Sequence, residues 1–209
     1  MRPALLFVML IIPALAPPAL ATIVDRIAIT LGTQVITDSE IDQRIRLTSF
    51  ENGEQPNFTP ESRKQAAQRL IDEKLVEHEM TVGHYPGMPD DRKPALLAAY
   101  EKDGGAAKLD AELAKRGLTR DDLKNDLARQ QNLLTFLNLR FRPAVQISEQ
   151  EIQRYYREHF AQAKVPLNEV RSAIEQNLTN QRADAELDQW LKGQRERAGI
   201  EYLEKDLAP

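Results

Sequence analysis

Three histidines, His78, His84 and His159, and three adjacent carboxylate pairs, Asp72-Glu73, Asp90-Asp91 and Asp121-Asp122, are the groups available for acid–base or metal chemistry. His78-Glu79 opens like the His-Glu-x-x-His helix of zinc peptidases, where two imidazoles one turn apart hold the metal. Position 82 is Val, so the second ligand is missing and the histidines read as surface groups. The first two carboxylate pairs lie among helical charges or at a helix start. The third sits in a cap, where acidic groups suit the helix dipole. The chain has no Cys, which excludes a disulfide framework, thiolate zinc sites, Fe–S clusters and a cysteine nucleophile. There is no Gly-x-Ser-x-Gly, no phosphate-cradling glycine loop and no EF-hand loop. No catalytic residue, metal ligand or cofactor is therefore assigned, and the chain reads as a binder rather than an enzyme.

Net charge narrows the partners. With 28 Lys+Arg against 32 Asp+Glu in 209 residues, the chain lacks the basic excess that a phosphate backbone demands, so no nucleic-acid partner is expected. At 29% charged residues it is too polar for an integral membrane protein. Its first residues differ in kind. Arg2, the apolar run 4–16 and Ala19-Leu20-Ala21 form a signal peptide of residues 1–21, with cleavage expected after Ala21. Removing it leaves 188 residues, no integral membrane segment and a periplasmic location. Those residues, 22–209, suit a single domain, with residues 22–163 as its main part and 164–209 as a closing helix and strand.

Elements able to position a binding surface are marked by local chemistry. Ile23–Leu31, the Gly32-Thr33 turn and Val35-Ile36 predict a β-hairpin. Thr37-Asp38-Ser39-Glu40 is a capping box for a first helix. Thr59-Pro60 opens a second, expected to reach Thr81, whose apolar residues Ala66, Ala67, Leu70, Ile71, Leu75, Val76 and Met80 cover a broad arc. Such a helix is contacted on more than one side and reads as a central post. A short helix over 92–101 and another over 106–116, stopped by Gly117, are expected next. Thr119 then caps a long helix to Arg140 with Leu123, Leu127, Leu134, Leu137 and Phe141 on a 4-3 spacing. Ser148-Glu149-Gln150-Glu151 caps a helix through Tyr155-Tyr156, and Pro166 opens the last helix, ended by Gly199 before a strand at Ile200–Leu203. The fold class is mainly α, closed by a small β element made from both ends of the chain.

The order of these segments resembles the SurA/PpiD/PrsA family of exported chaperones. The resemblance rests on Val24-Asp25-Arg26-Ile27-Ala28 with Val35-Ile36-Thr37-Asp38-Ser39-Glu40-Ile41, on Leu70-Ile71-Asp72-Glu73-Lys74-Leu75, and on Gly117-Leu118-Thr119 with Asp122-Leu123. It extends through Ile147-Ser148-Glu149-Gln150-Glu151-Ile152 with Tyr155-Tyr156. It implies a helical SurA N-terminal-like domain, pairing of the first strands with the last, and clients that are unfolded segments of envelope and outer-membrane proteins, held without nucleotide. The family's parvulin-type prolyl isomerase domain normally follows the Tyr-Tyr stretch. Only 53 residues follow Tyr156, and they match the closing helix and strand, so that insert is expected to be missing.

A chaperone of this kind needs exposed apolar area shallow enough to accept many sequences. Five of the eleven aromatics beyond the signal peptide, Phe136, Phe141, Tyr155, Tyr156 and Phe160, cluster around the junction of the long helix with the next. Tyr85, Met88, Leu97 and Tyr100, in the stretch 84–100, form a second candidate lip, and Met suits irregular partners. Phe50 and Phe58, flanking a loop, come third. Two other readings stand beside this one: a prolyl isomerase or an accessory to one, and a homodimer that swaps the hairpin or the last helix.

Overall fold

A computed structural model describes residues 25–102, 104–160 and 165–209. The expected signal peptide and its cleavage site lie outside the described residues.

Strands β1 (Ile27–Leu31) and β2 (Gln34–Thr37) form the hairpin, with Leu31 opposite Gln34 and Ile29 opposite Ile36. Gly32 takes the left-handed conformation at φ +57° that the turn requires. The register slips at Ala28, and its carbonyl accepts the N–H groups of both Leu203 and Glu204. Strand β3 (Ile200–Tyr202) runs antiparallel to β1 on its other side, giving the order β2-β1-β3. The two ends of the described chain thus meet in one sheet. Arg63 strengthens the closure, donating to Asp38 and Asp42 at 2.7 Å and to Glu204 at 3.1 Å.

Helix α1 (Asp38–Glu51) starts at the expected box: the Thr37 hydroxyl accepts the Glu40 N–H and the Glu40 carboxylate accepts the Thr37 N–H. Helix α2 (Pro60–Val82) spans about 35 Å and is the post. Its Ala66, Ala67, Leu70 and Ile71 join Ala28, Ile29, Ile36, Ile41 and Ile45 in a core under the sheet. Its Val76 and Met80 belong to a different core, with Phe136 and Leu191. A third core, Leu47, Leu97, Leu109, Leu113, Leu118 and Leu123, lies beyond α1.

Of the two short helices expected between α2 and the long helix, the first takes a different form and the second is present. Residues Asp90–Leu97 wind as a 3₁₀-helix, followed by a single α-turn, α3 (Ala98–Glu101). Pro94 inside the segment lacks the N–H that an α-helix needs, and its ring opposes the α geometry. Helix α4 (Gly105–Ala114) ends before Gly117, which takes φ +66° while the Leu118 N–H bonds back to Leu113.

Helix α5 (Arg120–Arg140) begins at a Thr119/Asp122 capping box. Its expected stripe holds except at Leu134. Leu123 and Leu127 face the third core, but Leu134, in line with them, is 50% exposed. Leu133 and Phe136 point inward instead. The cause is a change of neighbours: the first half of α5 packs against α1 and α4, and the second half against α2 and α7, about a third of a turn around its axis. Helix α6 (Glu149–His159) is capped by Ser148 and Glu151 and lies on the first half of α7 (Leu167–Arg197), where Ile152 and Ile174 are buried. The second half of α7 reaches α2 and α5 through Leu187, Trp190 and Leu191. Among the described residues no helix is long and apolar enough to cross a membrane.

Candidate functional site

Where α2, α5 and the far half of α7 converge, their side chains do not close completely. They leave an open cavity of about 340 Å³, at the low end of the ~300–1,000 Å³ of small-ligand pockets. Val76 and Met80 from α2, Leu133 from α5, and Leu187 and Leu191 from α7 make its floor. Charged and polar groups stand around it: Arg69, Asp72, Glu73 and Glu77 on α2, Arg129 and Asn132 on α5, and Asp188 on α7.

Two ion-pair systems hold the walls. On one side Arg195 grips Asp72 with two hydrogen bonds, from Nε at 2.8 Å and Nη2 at 2.5 Å, tying α7 to α2. Burial pushes the Asp72 carboxyl above its usual range, Arg195 pulls it down, and nearby Asp188 pushes it up again. On the other side lies an alternating tetrad. Arg44 of α1, 6% exposed, donates at 2.6 Å to Glu73 and pairs at 2.6 Å with Asp126, which is fully buried. Arg129 reaches the same Asp126 oxygen at 3.0 Å and approaches Glu73 at 3.7 Å, and Gln130 donates to the other Asp126 oxygen at 3.0 Å. Glu73 is raised mainly by burial, with Arg44 and Arg129 opposing and Asp126 and Glu77 adding to the rise. The Nε atoms of Arg44 and Arg129 are buried without a hydrogen-bond partner. Two guanidiniums and two carboxylates thus fix α1, α2 and α5 relative to one another, and the outer pair, Glu73 and Arg129, reaches the cavity wall.

Behind the floor stands an aromatic cluster. Phe136 is fully buried, with ring centroids 5.1 Å from Tyr85, 5.6 Å from Phe141 and 5.2 Å from Trp190. Arg140 lies over the Phe136, Phe141 and Trp190 rings at 5.5–5.8 Å, pairs with Glu79 at 2.6 Å and donates to the Tyr85 hydroxyl at 3.2 Å. The loop after α2 is pinned to the cavity rim by Asn132, whose side-chain oxygen accepts the Met88 N–H at 2.6 Å.

The nine candidate side chains from the sequence fall in four places. Phe136, Phe141 and Tyr85 support the cavity floor from behind, and Phe136 has no solvent contact. Met88 sits half-buried at the rim. Leu97 is buried in the core beyond α1, beside which Tyr100 packs its ring on Phe50 at 5.8 Å while remaining 38% exposed. Tyr155, Tyr156 and Phe160 lie at the far end of α6, where the Tyr155 ring lies tilted against His159 at 4.2 Å and the Tyr156 hydroxyl donates to the Val165 carbonyl. Of the loop pair, Phe58 is exposed beneath the Arg46 guanidinium, and Phe50 is half-buried. Sequence reasoning missed the floor itself. Val76 and Met80 signalled it only through the overly broad apolar arc of α2, and Leu133 lay off the 4-3 stripe.

Among the described residues no group of three or more His, Asp or Glu side chains is arranged to hold a metal ion. Compared with protein-family models and with curated proteins, the chain matches none.

Proposed function

We propose that this chain is a nucleotide-independent chaperone of the periplasm, related to the SurA/PpiD/PrsA type. In this reading it holds apolar side chains of unfolded envelope and outer-membrane proteins in the cavity between α2, α5 and α7. The observation that carries the proposal is the open cavity's combination of an aliphatic and thioether floor with charged walls. Burying one Leu- or Phe-sized side chain there yields about 1.5–3 kcal/mol, enough for weak, reversible capture at each contact. Flexible Met80 in the floor lets the surface adapt to differing side chains. The walls limit how deeply a client can settle, because their ion pairs would lose water on closer contact.

The test is aggregation of a urea-unfolded outer-membrane protein on dilution, followed by light scattering, with residues 22–209 in several-fold excess. Suppression is expected, and Leu133→Glu, which places a charge in the floor, should abolish it while the melting temperature shifts little, because Leu133 is only partly buried. Aggregation that proceeds unchanged in the presence of the protein removes the proposal.

A further inference from the structure

The charges around the cavity are not all matched, and this selects among clients. Asp72 is held by Arg195, and Glu73 by Arg44 and Arg129. Arg129 is in turn engaged by Asp126, and Arg69, at the α2 N-terminal end of the cavity, donates to the Thr48 hydroxyl. Glu77 on α2 and Asp188 on α7 also line the cavity, and these two carboxylates and Arg69 are the lining charges without an ion-pair partner among the described residues, an excess of one negative charge. Each stands beside a carboxylate that is already engaged, Glu77 near Glu73 and Asp188 near Asp72, while Arg69 lies toward the α2 N-terminal end, so the unpaired charge beside Glu77 and Asp188 is negative. The apolar floor runs between them.

We infer that the cavity selects polypeptide segments in which an apolar residue is flanked by Lys or Arg, the apolar side chain entering between α2 and α7 and the flanking cations meeting Glu77 and Asp188. This rests on the chaperone reading above and adds the class of client. The occupant follows from complementarity: the floor has no polar group for an all-polar segment, and two unpaired carboxylates against the single Arg69 leave the balance against an acidic one. The flanking cations contribute through exposed ion pairs, which are individually small. Two such pairs together correspond to about fivefold in affinity at low ionic strength, and salt screens them.

Three fluorescent peptides sharing one Phe-Ser-Leu centre, flanked on both sides by Lys, Gln or Glu, are titrated with residues 22–209 and followed by anisotropy. The expected order is Lys tightest, by about fivefold over Gln, and Glu weakest, with the gaps narrowing at high salt. The variant Glu77→Lys with Asp188→Lys should invert the order, and its melting curve confirms that it is folded. Equal affinity for the three peptides, or an order the double variant leaves unchanged, overturns the client class while the groove reading stands. Failure of all three to bind overturns both. If a second copy fills the cavity instead, light scattering shows a concentration-dependent mass that the peptides do not alter, and the assignment to clients is overturned.

Discussion

Replacing Asp126 with Asn changes one atom and tests the electrostatic frame around the cavity. In the native protein two guanidiniums, Arg44 and Arg129, face two carboxylates, Glu73 and Asp126, and the four charges cancel. Asp126 is fully buried and Arg44 is 6% exposed, so water cannot compensate for a lost partner. The variant leaves a net positive charge in the interior, with Arg44 retaining Glu73 at 2.6 Å and Arg129 retaining only its 3.7 Å approach to the same carboxylate. Breaking a buried pair by removing one partner costs about 3–5 kcal/mol. Asn keeps one acceptor oxygen, which places the expectation near the lower end. Against a total stability of ~5–15 kcal/mol this is a large fraction. At roughly 2–4 °C per kcal/mol for a chain of this size, a loss near 3 kcal/mol lowers the melting temperature by about 6–12 °C.

Urea denaturation followed by circular dichroism supplies the free energy, and Arg44→Met with Asp126→Leu supplies the control. That double replacement removes a cation and an anion together, so it should cost clearly less than the sum of the single changes. If Asp126→Asn costs under about 1 kcal/mol, or if the double variant equals the sum of the singles, the four groups do not act as one unit and the reasoning fails.

Phe136→Ala empties the centre of the aromatic cluster and should cost about 3–5 kcal/mol in urea denaturation, with a red shift in the fluorescence of Trp190, the only tryptophan. At the start of α6, the Glu151 carboxylate is lowered to about 2 by the Ser148 N–H first, then the Ser148 hydroxyl, then Arg182. A carboxyl lowered in the folded state stabilises above its unfolded pKa and loses that contribution as pH falls toward about 2. Ser148→Ala with Arg182→Ala should raise the Glu151 value seen by NMR titration, and a value that stays near 2 excludes these contacts as its cause. Asp72 and Glu73 behave oppositely, being raised by burial. Each binds a proton more tightly when folded, so its contribution to stability declines as pH rises from its ordinary value through the raised one. Stability of the native protein minus that of Asp72→Asn with Glu73→Gln should therefore shrink as pH rises above the ordinary carboxylate range, and a difference that grows instead contradicts the burial argument.

The fold was legible where structure is decided by neighbours in the chain. Each capping box at Thr37, Thr119 and Ser148 is a contact over three residues, so its chemistry is complete in the sequence. The turn at Gly32 and the stop at Gly117 needed only a residue that tolerates positive φ. Even the central place of α2 was visible, because its apolar arc was too wide for one partner. The arrangement became illegible where distant elements choose each other. Leu134 sits on a valid stripe with Leu123 and Leu127, yet by that point α5 has exchanged α1 and α4 for α2 and α7, and Leu134 faces water. Asp126 looks like any helical charge until Arg44, far away in the chain, is brought against it.

The same limit explains why aromatic density pointed behind the cavity rather than into it. Aromatic rings have the largest apolar area, so a converging set of helices uses them first to fill its deepest space, and Phe136 with Trp190 and Tyr85 does so here. What lines the cavity floor is aliphatic and thioether surface, Val76, Met80, Leu133, Leu187 and Leu191, which in sequence is indistinguishable from core. Asp188 on α7 already lies close enough to Asp72 on α2 to push its carboxyl up, so bringing the two helices closer would add repulsion and desolvation. The Asp72–Arg195 pair and the tetrad already satisfy the walls at the present spacing. Val76, Met80 and Leu191 are each under 10% exposed, so the floor is core surface reached only through the charged rim, which is why neither its apolar residues nor its charges stood out singly in the sequence.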